Sequence, residues 1–322
     1  MIILTGGAGF IGSVLLARLN GEGYDDILIV DSLNSSDKWK NLTGKQFRDY
    51  IHKDHFLAYL ENLSKDNVDA VFHLGACTST TERNVDYLMK NNYEYSKTIA
   101  KWCFWAEKPF IYASSASIYG DGLNGFSDDN KKINLYRPLN PYGFSKHIFD
   151  EWLIRHEFES DSVGFRFFNV FGPNEYHKDD MASLVFKAFH QVSETGSLKL
   201  FRSKNPEYKD GEFLRDFIYV KDCVDVLFWA FKNPDVKGIF NLGTGKARSW
   251  NDLANALFSA MGKGASIQYI DMPENIKDAY QYFTEAEMTK LRTAGYKKVF
   301  TEMEDAVGDY VNGYLMKSHP YL

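Results

Sequence analysis

The sequence predicts an α/β fold, a doubly wound parallel sheet with helices on both faces, interleaved with a smaller C-terminal lobe. Three observations carry this expectation. Short apolar runs rich in Ile, Val and Phe alternate with helix-length segments through the first half of the chain. A glycine-rich run joins the first apolar run to the first helical segment. No repeat, low-complexity tract or Pro/Ser-rich tether separates the halves, so the two lobes are expected to interleave.

Taken in order, residues 2–5, 27–30, 70–74 and 110–113 are too short for helices and read as buried parallel strands. Between them, 11–19 and 93–105 have helix length. Residues 162–170 read as another inner strand, stopped by Phe171-Gly172-Pro173. The second half is less regular. Residues 182–193, 250–261 and 301–315 read as helices, 213–220 and 238–242 as strands, and the polar stretch 201–212 as a loop. This assigns 1–170 plus about 214–242 to a nucleotide-binding lobe, and about 171–213 and 243–322 to a substrate lobe.

Composition narrows the function class. Hydrophobic residues at 44% and charged residues at 25% describe a globular chain. Lys+Arg number 37 against 43 Asp+Glu, and the net charge of −6 argues against a general binder of nucleic acid or anionic membrane. Cys77, Cys103 and Cys223 form no C-x-x-C pair, which suits a reducing cytoplasm. No apolar run approaches the ~18 residues of a membrane span, and no basic leader precedes an apolar stretch. His177 and His190 lack H-E-x-x-H spacing and Ser114-Ser115 lacks the G-x-S-x-G elbow, so neither a metal site nor a serine nucleophile is expected.

The chemistry is concentrated in two places. Gly6-Gly7-Ala8-Gly9-Phe10-Ile11-Gly12 sits between strand and helix, where glycines allow backbone N–H groups to approach a pyrophosphate at a helix N-terminus. Asp31 follows about 20 residues on, completing the dinucleotide fingerprint of a Rossmann domain. Asp31 alone favours NAD through its ribose hydroxyls. By residue type alone, Lys38 and Lys53 are ordinary surface lysines, although either could neutralise a 2′-phosphate. In Tyr142-Gly143-Phe144-Ser145-Lys146, a phenol and an ammonium at i and i+4 share one helix face. A cation beside the phenol lowers its pKa towards the range useful for taking a proton from an alcohol. Y-x-x-x-K alone is common by chance; the glycine loop upstream and Ser114-Ser115 at a strand end give it weight. Ser115 could bond the reacting oxygen, but the sequence does not decide which serine faces inward.

These motifs (GGAGFIG, Asp31, His73-Leu74-Gly75-Ala76, YASSASIYG, YGFSK and NVFGP) together resemble the extended short-chain dehydrogenase/reductase family over essentially the whole chain. GACTSTTE at 75–82, NNYEYS at 91–96, EYHKDDMAS at 175–183, LRDFIYVKD at 214–222, FNLGTGKARS at 240–249 and the run 280–296 are similar to its ADP-heptose epimerase branch. The resemblance implies an isomerase that oxidises a sugar alcohol to a 6″-ketone and returns the hydride to the opposite face, supplying lipopolysaccharide core heptose. It implies one tightly held NADP per subunit, with NAD the alternative, and a homo-oligomer, a pentamer in relatives.

Site residues follow from the same resemblance. Tyr142 is the first acid/base, supported by Lys146 and Ser115, and Lys178 is the second. Cofactor contacts fall on Gly6, Gly9, Phe10, Ile11, Gly12, Asp31 and Ser32, and on Lys38 and Lys53, which the resemblance turns into NADP contacts. Further cofactor contacts are Gly75, Ala76, Cys77, Thr78, Asn92, Lys146, Val170 and Lys178. Substrate contacts fall on Asn169, Asp180, Lys187, Phe201, Arg202, Ser203, Lys204, Arg215 and Tyr280. Arg202 and Arg215 suit a diphosphate as guanidinium forks; the alternative is structural pairing with acids such as Asp216. Asp179-Asp180 and Lys187 depart from the branch's pattern, and the loop 203–212 is longer than in some relatives. The nearest rival reading is a UDP-hexose 4-epimerase. A 4,6-dehydratase is disfavoured because Ala116-Ser117 stands where that group carries Asp-Glu, and a non-catalytic sensor is disfavoured by the Tyr142/Lys146 pair.

Overall fold

The structure, a computed structural model, describes residues 1–272 and 281–322. Its main sheet has seven strands, all parallel: β1 (Ile2–Thr5), β2 (Ile27–Asp31), β3 (Asp49–His52), β4 (Ala70–His73), β5 (Phe110–Ser115), β6 (Ser162–Phe167) and, later in the chain, β10 (Gly238–Leu242). Their order is β10-β6-β5-β4-β1-β2-β3. β1, β2, β4, β6 and β10 are buried along their whole length, which is why these strands read as mainly apolar runs without polar alternation. Alternate side chains serve opposite faces. Leu4, Ile29 and Phe72 pack on one side with α1 (Phe10–Gly21) and α7 (Val220–Lys232). Ile3, Leu28 and Val71 pack on the other with α2 (Lys53–Glu61), α4 (Tyr95–Ala106) and α5 (Pro141–Arg155). β3 was not expected. It is an edge strand with one exposed and three half-buried residues, so it carries no apolar run.

The expected single strand 162–170 is two strands. After Phe168, whose N–H bonds the Leu242 carbonyl at 3.0 Å, β7 (Asn169–Phe171) leaves the main sheet. It enters a three-stranded sheet with β9 (Leu214–Tyr219) and β11 (Ala247–Ser249). β9, expected in the nucleotide lobe, therefore pairs with β7 and β11, while the next strand, β10, takes the place beside β6. The outer lobe adds α6 (Leu184–Thr195), α8 (Trp250–Ala260) and the pair β8 (Leu198–Phe201) and β12 (Ile267–Ile270). Residues after β8 up to β9 contain no regular element, as expected of the loop. Among the described residues no helix is long and apolar enough to cross a membrane.

This topology positions the site. Strand order reverses between β1 and β4, and their carboxyl ends open a crevice at that switch point.

Candidate active site

A cleft of about 890 Å³ runs along the carboxyl ends of the main sheet. Gly6 and Gly75, just beyond β1 and β4, form its throat. Gly6 holds φ +70°, and a Cβ there would lie 2.6 Å from the Gly75 nitrogen, so only glycine lets the two turns meet. A Cβ at Gly12 would run into the Gly6 carbonyl oxygen, so the first turn of α1 can approach the loop only without one. α1 begins at Gly9 with no side-chain cap and no acid in its first turn, leaving a net positive helix end facing the cleft. These features fit a dinucleotide pyrophosphate.

Asp31 lies at the end of β2 and is buried. One carboxylate oxygen accepts from the Ala8 N–H at 2.9 Å, tying it to the glycine loop. The other accepts from the Ser32 N–H at 2.7 Å and from Lys38 Nζ at 2.5 Å. Lys38 is thus one half of an ion pair with Asp31 at the end of β2 and not a solvated surface lysine. Lys53 also lines the cleft, and its ammonium lies 2.8 Å from Asp54.

At the opposite end, Pro141 at the start of α5 and the Asn140 cap (Gly143 N–H to Oδ1, 2.8 Å) set the first helical turn, which carries Tyr142. Tyr142 and Lys146 both line the cleft and are buried at 9% and 4% exposure. Burial raises the Tyr142 phenol above its ordinary value, opposed by a hydrogen bond with Ser115. The expectation that Lys146 lowers it is not met. Lys146 Nζ donates to the Ala113 carbonyl at 2.8 Å, and burial brings its own pKa down to about 8, with Asp150 one turn on opposing that fall. The serine question is resolved. Ser114 Oγ donates to buried Asp150 at 2.9 Å, whereas Ser115 bonds Tyr142 and Ser117.

Lys178 enters the cleft from the 3₁₀ turn Tyr176–Met181. Burial, reinforced by the nearby Lys38 charge, lowers its pKa, and Glu175 opposes the fall. The next residue, Asp179, has φ +45° and ψ −121°, a strained conformation for a residue with a Cβ. His177 is held neutral, with its pKa brought down to about 4 by burial and by the Lys38 and Lys178 charges.

Comparison with known proteins places this cleft in a lineage. Residues 2–243 match the NAD dependent epimerase/dehydratase family. The chain belongs to that family. It is 51% identical over 323 residues to an ADP-L-glycero-D-manno-heptose-6-epimerase of Nitratidesulfovibrio vulgaris, and 47% identical over 336 residues to one of Fusobacterium nucleatum, covering 100% of both chains in each case. The crystal structure of the Helicobacter pylori ADP-L-glycero-D-manno-heptose-6-epimerase superposes with a TM-score of 0.82 at 30% identity, over 97% of this chain and 95% of that one.

Within this epimerase-family cleft, the expected residues Gly6, Gly9, Phe10, Ile11, Gly12, Ser32, Gly75, Ala76, Cys77, Thr78, Val170 and Asn169 all line the wall. Asn92 does not. Its side chain grips the Cys77 N–H (2.8 Å) and carbonyl (2.9 Å) and so shapes the loop after β4 from behind. Most of the expected substrate residues are not part of the lining of this cleft. Lys187 Nζ donates to the Asp180 carbonyl at 2.6 Å. Phe201, Arg202, Ser203 and Lys204 lie at the end of β8, where Arg202 meets Asp271 at 3.3 Å. Arg215 donates to the Leu214 and Gln281 carbonyls and not to Asp216, which instead accepts from Thr244, Gly245 and Ala286. Tyr280 lies outside the described residues.

Sequence reasoning missed the part of the cleft wall where Phe217 and Trp250 meet edge to face at 6.1 Å. It also missed His73, whose ring lies between Thr5 Oγ1 (2.7 Å) and Ser96 Oγ (2.8 Å) while Thr5 holds the Gly75 N–H. Both sit in motifs or apolar runs that look purely structural until the chain is folded.

Proposed function

We propose that this protein inverts C6″ of an ADP-heptose, converting ADP-D-glycero-D-manno-heptose to ADP-L-glycero-D-manno-heptose by transient oxidation to a 6″-ketone. The supporting observation is a single cleft lined by the glycine loop and by two separate acid/base groups, Tyr142 and Lys178. One group suffices to make a ketone; returning a hydride to its other face puts the new hydroxyl elsewhere and calls for a second. The full-length relatives carry the name of this reaction.

A bound nicotinamide dinucleotide supplies the acceptance and return of hydride. The chain's residues do the rest. Tyr142 takes the hydroxyl proton as C6″–H leaves, with Ser115 bonding the same oxygen. Lys146, on the same stretch of cleft wall, would hold the nicotinamide ribose. The planar ketone then turns its other face inward, and Lys178, its pKa lowered by burial, supplies the proton to the oxygen. No net oxidation occurs. Replacing Lys178 with Met is expected to lower turnover by about 10²–10⁴-fold. Hydride transfer in a single turnover, read as near-ultraviolet absorbance of reduced nicotinamide, should survive from one epimer and fail from the other. Near-normal turnover from both epimers would remove Lys178 from the mechanism.

We further assign NADP in preference to NAD. Lys38 offsets the Asp31 carboxylate that would repel a 2′-phosphate, and Lys53 lines the same end of the cleft. Lys38→Ala should weaken NADP binding by on the order of 10–100-fold, the worth of about 1.5–3 kcal/mol for a charged hydrogen bond. Binding of NAD should change little. Titration of both nucleotides checks this, and equal losses for the two would refute it. The reading includes a cytoplasmic homo-oligomer, a pentamer, supplying heptose for lipopolysaccharide core. It gives the main sheet, β10 included, to the cofactor and the outer lobe to the sugar nucleotide, with contacts from Asp180, Lys187, Phe201, Arg202, Ser203, Lys204, Arg215 and Tyr280.

The deciding experiment is incubation with ADP-D-glycero-D-manno-heptose followed by NMR at C6″. Conversion without solvent deuterium at that carbon is expected. No conversion, or deuterium at C6″, would overturn the reading.

A further inference from the structure

One buried side chain behind the cleft joins its two halves. The 3₁₀ turn Asp37–Leu42 carries Lys38 near its start and Asn41 near its end, and Asn41 is 1% exposed. Asn41 Nδ2 donates to the Ala8 carbonyl at 2.9 Å and to the Asn174 carbonyl at 3.0 Å, and lies 3.3 Å from His177 Nδ1. Two of these partners are main-chain carbonyls, which can only accept, so the amide nitrogen and not its oxygen must face them. The His177 ring joins the same cluster through its hydrogen bond with the Asn174 main chain. Ala8 belongs to the glycine loop; Asn174 and His177 lead directly to Lys178. A second tie runs parallel, from Asn174 Nδ2 to Ser13 Oγ in α1 at 2.9 Å.

We propose that Asn41 is a positioning residue that couples the seating of a dinucleotide on the glycine loop to the placement of Lys178. This rests on the reading of Lys178 as the second acid/base. The amide's two hydrogens go to one carbonyl on each side, so it holds the loop and the Asn174–Lys178 stretch at one separation. A phosphate drawing in the loop's N–H groups orients the Ala8 peptide, and through Asn41 the turn that presents Lys178. That turn already contains the strained Asp179, so it needs an outside restraint to stay in place.

The test uses the full chain with Asn41→Ala and Asn41→Ser, alone and combined with Lys178→Met. Each Asn41 variant should lower kcat by on the order of 10²-fold, the cost of about a 1 Å misplacement, with KM for the ADP-heptose little changed. In the Lys178→Met background the same substitutions should cost almost nothing more. An equal loss in both backgrounds, or an unchanged kcat, overturns the proposal. A second readout needs no turnover and serves if Asn41→Ala fails to fold. NADP added to the wild-type chain stripped of bound nucleotide should shift the His177 ring ¹⁵N signals, and Asn41→Ser should abolish the shift. A wild-type signal that does not move, or an undiminished shift in Asn41→Ser, likewise overturns the coupling. A wild-type chain that binds NADP and shows the His177 response but leaves ADP-heptose unconverted would sink the proposed reaction and leave the coupling standing.

Discussion

Tyr142→Phe should retain bound dinucleotide and lose about 10²–10⁴-fold in turnover, the usual worth of a positioned acid/base. The ring is buried in the first turn of α5, and phenylalanine fills the same space, so the fold should be little affected. What disappears is one oxygen, the atom bonded by Ser115 and the only group on that helical turn able to exchange a proton with a sugar hydroxyl. Two measurements on one sample separate the effects: C6″ conversion by NMR, and dinucleotide content by mass. Wild-type turnover in Tyr142→Phe would rule the phenol out. Lost dinucleotide would mean that the hydroxyl anchors the cofactor and that its chemical role has to be found elsewhere.

The strands of this site were readable because the parallel sheet is covered on both faces. The segments 2–5, 27–30, 70–74 and 110–113 match β1, β2, β4 and β5 to within two residues, since burial on both sides leaves an unbroken apolar signature. The same property hid the break at Phe168. The run Phe165-Arg166-Phe167-Phe168-Asn169-Val170-Phe171 stays rich in large apolar residues as it passes from one sheet to the next, and periodicity cannot register a change of partner. α7 was overlooked although Val220, Cys223, Val224 and Leu227 recur at helical spacing; the strand-like stretch running into it masked its start. Among the site residues, the cofactor end was legible because glycine geometry is local. The partner of Lys146 was not, because a lysine reaching a carbonyl 33 positions earlier leaves no mark in the spacing of a motif.

The second large effect concerns stability. Asp150→Ala should destabilise the fold by about 3–5 kcal/mol, the cost of breaking a buried ion pair from one side. Asp150 and Arg166 are both fully buried, with Arg166 Nε 2.9 Å from Oδ2. The carboxylate also accepts from Tyr112 OH at 3.0 Å and Ser114 Oγ at 2.9 Å. Arg166 reaches on to Tyr119 OH at 3.0 Å, which donates to Asn241 on β10 at 2.5 Å. Alanine would strand a guanidinium in the interior, where one of its nitrogens already lacks a partner. Urea unfolding measures the loss. Combining Asp150→Leu with Arg166→Met should recover much of it, because an apolar pair of similar volume removes the unpaired charge. A loss below about 1 kcal/mol for Asp150→Ala would mean that water or a rearranged partner satisfies Arg166.

The departure of β7 from the main sheet has a mechanical corollary. A single amino acid, Phe168, separates the last β6 position from Asn169. The cleft wall at Asn169 and Val170 and the crossing from the main sheet to the three-stranded sheet are therefore one uninterrupted stretch of peptide. With no slack chain between the two sheets, the places of Asn169 and Val170 on the cleft wall are set by the angle at which β7 leaves β6.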